Sequence, residues 1–229
     1  MQTLARILFF KDAADTDLSR FDRSCTWRRF EPNEIAVDYE DEGADVFFII
    51  SGEVRVLIRA PNGKEVILGE MKGGSYFGEL AALDGTPRSA NVTALTRCEM
   101  CIMPPKVFRD ILFTSPAIAD KVFKLLVTRI RELNARVNES AVLDLKYRLY
   151  SELLRLSSPR PGAEKERIVS PPPFHHVLAA RIGCRREQVT RELSALAKDG
   201  LVTKTRGALV LTQPEVLKSR IDRALQQGG

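Results

Sequence analysis

The sequence predicts an α+β chain: an antiparallel β-roll first, a long helix next, and a winged helix-turn-helix at the C-terminus. Three observations carry this. Residues 27–103 run as short apolar or alternating stretches separated by turn residues, the pattern of successive hairpins in an antiparallel barrel or sandwich. From Ser115 onward, apolar residues recur every three or four positions, which is helical spacing. Beyond Phe174, two short helical stretches flank Ile182-Gly183-Cys184, and the hairpin-like "GLVTKTRGALVLT" follows. The expected divisions are residues 1–114, 115–141 and 142–229.

Taken in order, "DTDLSRFDRSC" reads as a short helix opened by an acidic cap. "VFFIISGEVRVLIRAPNGKEVILGEM" gives a strand over 46–50, a Ser51-Gly52 turn, an alternating strand over 54–58, an Asn62-Gly63 hairpin and a strand over 66–68. Ser115-Pro116 is a cap and first-turn pair. The helix it opens carries Val122, Leu126, Ile130, Leu133, Val137 and Ala141 on one narrow seam, with Arg129, Arg131, Glu132 and Arg136 among them. A narrow seam on a long helix is the coiled-coil pattern, so pairing with a second copy in a homodimer is expected; packing on the barrel is the alternative. A further helix over 143–156 leads into "SSPRPGAEKER", read as a linker. The last part holds a helix over 177–181, a glycine turn and a helix over 185–198.

Composition narrows the classes of function. The chain has 229 residues and 44% hydrophobic content, and no apolar run reaches the ~20 residues a membrane span needs. "MQTLARILFFKDAADTD" has too short an apolar part for a signal peptide, so a soluble, cytoplasmic protein with no membrane partner is expected. Cys98 and Cys101 form a C-x-x-C on a strand, where positions three apart face opposite sides and cannot share a metal ion. With two histidines and no nucleophile set beside a base, no enzyme is expected. Residues 1–140 hold 19 basic and 21 acidic side chains, whereas residues 141–229 hold 16 and 9. The positive excess sits in the C-terminal part, which points to a polyanionic partner there.

Two stretches carry candidate sites. A helix-turn-helix lays the start of its second helix in the major groove of double-stranded DNA, and here that start is Arg185, Arg186, Glu187 and Gln188, with Arg191 one turn on. Arginine suits guanine O6 and N7, glutamate accepts from cytosine N4, and glutamine can pair with adenine. Lys204 and Arg206 suit phosphate contacts, which position without specifying. The second stretch is "YFGELAALDGTPRSANV". Glu79 beside Gly78 can accept from a ribose hydroxyl, Arg88 can neutralise a phosphate, and backbone N–H groups near Gly78 and Ala90 with the Ser89 hydroxyl can complete an anion nest. On the residues alone, an internal Glu–Arg salt bridge is an equally good reading.

"FGELAALDGTPRSANV" resembles the phosphate-binding cassette of cyclic-nucleotide-binding domains, and "IGCRREQVTREL" resembles the DNA-recognition helix of the superfamily of the cyclic AMP receptor protein and the fumarate and nitrate reduction regulator. The order of β-roll, long helix and winged helix-turn-helix matches that superfamily over nearly the whole chain. The resemblance implies a homodimeric transcription regulator on a two-fold symmetric DNA site, with a cyclic nucleotide as effector, no other cofactor, and RNA polymerase as a further partner. It implies that Gly78, Glu79 and Leu80 hold the ribose and phosphate edge, that Arg88 and Ser89 bind the cyclic phosphate, and that Val56, Leu68 and Gly69 line the pocket. Arg186, Glu187 and Arg191 match the base-reading positions. Where the family presents a Thr-Ser pair to adenine, this chain has Leu133 and Asn134. Glu132 can accept from guanine N1–H and N2–H2, Asn134 or Arg129 can donate to O6, and Ser89 can add an N2 contact, so cyclic GMP is favoured slightly over cyclic AMP. Ion pairing along the helix is the alternative role for Glu132 and Arg129. No N-terminal cysteine cluster suits an iron–sulfur centre, and His175 and His176 lie beside the DNA helix.

Overall fold

The computed structural model describes residues 3–11, 17–59 and 65–227, in two compact units, 1–129 and 130–229. The first opens with two 3-10 turns, Leu4–Arg6 and Leu8–Phe10, and the short helix α1 (Ser19–Asp22), before which Asp17 Oδ1 accepts from the Ser19 amide at 3.1 Å. The strands are β1 (Thr26–Phe30), β2 (Ile35–Val37), β3 (Val46–Ser51), β4 (Glu53–Arg59), β5 (Glu65–Lys72) and β6 (Tyr76–Phe77). After helix α2 (Glu79–Asp84) come β7 (Asn91–Ala94), β8 (Cys98–Met103) and helix α3 (Pro105–Thr114). They form two antiparallel four-stranded sheets, in the orders β1-β8-β3-β6 and β2-β7-β4-β5. The Asn62-Gly63 hairpin expected from the sequence lies outside the described residues.

Strand β3 shows why its sequence is apolar throughout. Phe47 and Ile49 enter the core between the sheets with Phe30, Val54, Phe77 and Met100, whereas Val46 and Phe48 enter a second core with Phe10, Phe108 and Ile118. A strand covered on both faces has no polar side to alternate with. Strand β8 behaves in the same way: Cys98 belongs to the first core and Cys101 to the second, so the C-x-x-C pair is split as its spacing predicts. Cys101 instead has the Cys25 thiol as its hydrogen-bonding neighbour.

Helix α4 (Pro116–Val142) is continuous over 27 residues. Ser115 receives the amides of Ile118 and Ala119 on its carbonyl, which starts the helix at Pro116. Ile118 and Val122 are buried in the second core and Leu125 and Leu126 pack against it, so the early seam covers the β-roll. Further on, Ile130, Leu133 and Val137 are exposed, Val137 to 67%.

The second unit continues with α5 (Leu145–Leu156), β9 (Ser158–Arg160), β10 (Ala163–Val169), α6 (His175–Ile182), α7 (Arg186–Lys198), β11 (Val202–Thr205), β12 (Ala208–Leu211) and α8 (Pro214–Gln227). Residues 157–167 correct the sequence reading, since the expected linker is a β-hairpin. Gly162 turns the chain at φ 77°, and β10 pairs with both β9 and β12, extending the wing into a sheet of order β11-β12-β10-β9. Proline, glycine and charge look like a linker in isolation, but Pro159 sits on the edge strand β9, where a missing N–H is tolerated. The helix expected over 143–156 begins at Leu145, and α8 was not foreseen. Glycine ends α6 as expected, with Gly183 at φ 71°. Among the described residues no helix is long and apolar enough to cross a membrane.

Phe108 is fully buried in the second core, its ring 6.4 Å from that of Phe48. A Phe108→Ala substitution is expected to lower stability by about 3–5 kcal/mol, read as a fall in the urea midpoint of the β-roll transition.

Candidate functional site

The cassette stretch folds around one glycine. Gly78 has φ +87°, and a Cβ there would lie 2.6 Å from the Asp45 carbonyl oxygen and 2.7 Å from Arg88 Nη1. The missing side chain lets the backbone close over Arg88 as β6 passes into α2. Arg88 is 6% exposed. Its Nη1 donates to the Gly78 carbonyl at 3.2 Å, its Nη2 to the Asp45 carbonyl at 2.8 Å, and its guanidinium carbon lies 5.7 Å from the centre of the Phe47 ring. Backbone bonds pin it too: the Arg88 amide donates to Asp41 O and the Glu40 amide to Arg88 O. Burial pulls the Arg88 pKa down, opposed by the fields of Asp45, Asp41 and Glu79. Among the described ion pairs none joins this guanidinium to a carboxylate; its hydrogen bonds go to two backbone carbonyls, with the more distant fields of Asp45, Asp41 and Glu79 around it.

Glu79 is 1% exposed, and its partner is Arg129 of α4, which donates Nη1 to Glu79 Oε1 and Nη2 to the Tyr76 carbonyl at 3.4 Å. The salt-bridge reading is thereby corrected in its partner: Glu79 pairs with Arg129 and not with Arg88, which donates to carbonyls. Burial pushes the Glu79 carboxyl above the ordinary glutamate range, with Arg129 and Arg88 pulling against it. Burial also raises the Tyr76 phenol, whose buried hydroxyl has no hydrogen-bond partner.

The other expected residues fall as follows. Val56 stands opposite Gly69 in the β4–β5 ladder and opposite Val92 on its other side; it, Leu68 and Gly69 are half-buried. Leu80 and Ser89 are exposed and Ala90 is buried. Glu132, Leu133 and Asn134 are exposed on α4. The sequence reading missed three cassette partners: Asp45 and Phe47, which hold Arg88, and the Arg129–Glu79 pair. No local spacing joins residues 79 and 129.

In the second unit, Val189, Leu193 and Leu196 bury one face of α7, which turns Arg186, Glu187 and Arg191 outward. Arg185 is the N-cap, and its amide donates to Gln188 Oε1 at 3.0 Å, so the Gln188 carbonyl serves the helix start and its amide nitrogen is what remains for a partner. Lys204 on β11 and Arg206 in the wing turn are exposed. A hollow of about 450 Å³ between the start of α6, α7 and the wing is lined by Phe174, His175, Arg186, Lys204 and Thr205, among others. His175 Nδ1 lies 2.7 Å from Thr190 Oγ1. Thr190 spends its proton on the Arg186 carbonyl at 3.1 Å, so His175 is the donor. Burial, then Lys204 and Arg186, lower its pKa.

Residues 27–115 match the cyclic nucleotide-binding domain family, and residues 147–220 match the Crp-like helix-turn-helix domain family. The chain belongs to the cyclic AMP receptor protein and fumarate and nitrate reduction regulator superfamily. Members similar to it include the cAMP-activated global transcriptional regulator CRP of Salmonella typhimurium, 28% identical over 200 residues, covering 84% of this chain and 92% of that one. The cAMP-activated regulator Vfr of Pseudomonas aeruginosa is 29% identical over 187 residues, covering 78% and 85%. Among solved structures, a CooA mutant from Carboxydothermus hydrogenoformans shares the fold with a TM-score of 0.78 at 19% identity, covering 96% of each chain. The c-di-GMP-responsive regulator CLP of Xanthomonas campestris shares it at 0.71 and 23% identity, covering 84% of this chain and 96% of that one. This superfamily member is therefore a cyclic-nucleotide-binding, DNA-binding transcription regulator and not an enzyme.

The Glu79–Arg129 pair carries a pH signature. Because the folded state raises the Glu79 pKa, the folded chain holds that proton harder than the unfolded chain, and the contribution of Glu79 to stability declines as pH rises above the ordinary value of about 4.3. An Arg129→Met substitution removes the opposing cation and raises the pKa further. Its stability deficit against the wild type should be small at pH 4 and reach about 3 kcal/mol at pH 7. Urea titrations at both pH values check this; an equal deficit at both would remove charge from the explanation.

Proposed function

We propose that the protein is a homodimeric, ligand-gated regulator in which a cyclic nucleotide in each β-roll shifts the dimer toward a form that binds DNA, and DNA in turn tightens nucleotide binding. The observation that carries this is Arg88: a buried guanidinium facing carbonyls, beside a buried carboxylate, is suited to a cyclic phosphate and an adjoining ribose hydroxyl. Gly78 and Ala90 amides with the Ser89 hydroxyl would add donors, Leu80 would flank the phosphate edge, and Val56, Leu68 and Gly69 would line the base side. The exposed stripe of Val127, Ile130, Leu133 and Val137 on α4 supports pairing of that helix with a second copy.

For the base, we favour guanine. Leu133 and Asn134 offer no hydroxyl, whereas Glu132 has the acceptors for N1–H and N2–H2, Asn134 has a donor for O6, and Ser89 can reach N2. Arg129 is a weaker candidate for O6, because Glu79 engages it. Cyclic AMP is the second reading, favoured by the names of the Salmonella and Pseudomonas relatives. Arg186, Glu187 and Arg191 would read base edges, joined by Arg185 and the free amide of Gln188, with Lys204 and Arg206 on phosphates, over a two-fold site whose half-sites are about one helical turn apart. RNA polymerase is the further partner proposed.

Calorimetric titration with cyclic AMP and cyclic GMP separately, repeated on Arg88→Ala, tests the pocket. One nucleotide should bind, and the substitution should weaken it at least ~30-fold, a loss of about 2 kcal/mol or more. Binding of neither would remove the nucleotide from the reading and leave a regulator active without it. On the DNA side, Glu187→Ala should relax selection at one base pair, whereas Lys204→Ala should weaken all duplexes alike and reduce the salt slope by about 1. Unchanged DNA affinity in Arg186→Ala would instead favour an adaptor that works through protein contacts.

A further inference from the structure

Four charged side chains outside both candidate sites form a connected series within the second unit. Glu139, near the end of α4, receives Arg155 Nη2 on both carboxylate oxygens at 2.9 Å. Arg155, in α5, turns its Nη1 to Glu152 Oε2 in the preceding turn of the same helix. Glu152 gives its other oxygen to Arg181 Nη1 of α6 at 3.2 Å. The signs alternate along the path from α4 through α5 to α6. Glu152 and Arg181 are almost wholly buried, with side chains 2% and 4% exposed, whereas Glu139 and Arg155 are partly open. Burial works against the Arg155 charge, but Glu152 and Glu139 outweigh it and hold the guanidinium firmly protonated.

An interior of this kind is an expensive way to join helices. Replacing a buried ion pair with apolar groups of similar volume is often neutral or stabilising, so charges add little cohesion that leucines would not. What they add is direction: Glu152 meets Arg155 on one oxygen and Arg181 on the other, and a hydrogen bond is sensitive to angle, while an apolar contact tolerates sliding. The ends of the series matter for the same reason. Its first helix is the one whose earlier part carries Arg129, partner of Glu79. Its last is the first helix of the helix-turn-helix, which passes its position to α7 through the shared core and the His175–Thr190 bond.

We propose that Glu139, Arg155, Glu152 and Arg181 are positioning residues that tie α6, and with it α7, to α4, so that a nucleotide-dependent change in α4 reaches the DNA-reading helix through this ladder. The proposal rests on the nucleotide-gated reading above.

The test measures the ratio of DNA dissociation constants without and with nucleotide, using cyclic AMP and cyclic GMP in separate series and a duplex selected by the wild-type protein from a random pool. Glu139→Gln breaks the first rung alone and Arg155→Gln breaks it together with the rung to Glu152, so one well-folded variant suffices, and the double variant closes a cycle. If the ladder transmits, each variant still binds nucleotide, its ratio falls to within about twofold of one, and the double variant loses no more than either single change. A merely structural role would weaken DNA binding equally with and without nucleotide and leave the ratio at its wild-type value; that result, or additive losses, overturns the ladder while the function stands. A wild type whose DNA binding ignores both nucleotides, or that selects no duplex, overturns the nucleotide-gated reading and the ladder with it.

Discussion

A carboxylate taken out of water is costly unless a cation accompanies it, and Glu79 obtains its cation from a residue fifty positions away in sequence. That requirement organises the first unit. It fixes where α4 passes the cassette, because the guanidinium of Arg129 must reach both Glu79 and the Tyr76 carbonyl. It also separates the two arginines by task. With Glu79 engaged by Arg129, Arg88 donates instead to the Gly78 and Asp45 carbonyls. Had Glu79 and Arg88 paired with each other, the cassette would be electrically closed.

Helix α4 serves two surfaces in succession. Its first turns bury Ile118 and Val122 against the β-roll, and its later turns leave apolar side chains in the open. Of the two roles expected as alternatives from the sequence, the early seam takes the packing on the roll, while the later seam remains exposed. The roll meets only one side of the early helix, so a narrow apolar stripe is enough there.

Much of this was legible because the signals were local. Helical spacing after Ser115, the glycine at 183 and the short wing hairpin each follow from a few adjacent residues. The fully apolar β3 was legible as a strand but not as one flanked by two cores, since a continuous apolar run looks the same in either setting. What escaped was of two sorts. The hairpin at 158–169 draws its stability from pairing with β12, forty residues on, and in isolation its proline and glycine suggest a linker. The partners of Glu79 and Arg88 escaped because a buried charge is completed by tertiary contacts, Arg129 in one case and two backbone carbonyls in the other, and carbonyls leave no mark in a sequence. The cassette residues themselves, in contrast, lie within a dozen positions, and the structure gathers Gly78, Glu79 and Arg88 as their spacing suggests.

Placing β3 and β8 between two cores also divides the roll by accessibility to solvent. Opening either core alone leaves these strands covered on their other face, so their amides should be among the last to meet water, while the sheet that carries Val56 and Gly69 lies outside this double cover. On this ground the spine of β3 and β8 should exchange slowly and the outer sheet should be the more compliant part. Arg88, held over Phe47 of β3, therefore stands against the spine, whereas Val56 and Gly69 belong to the sheet that is free to adjust.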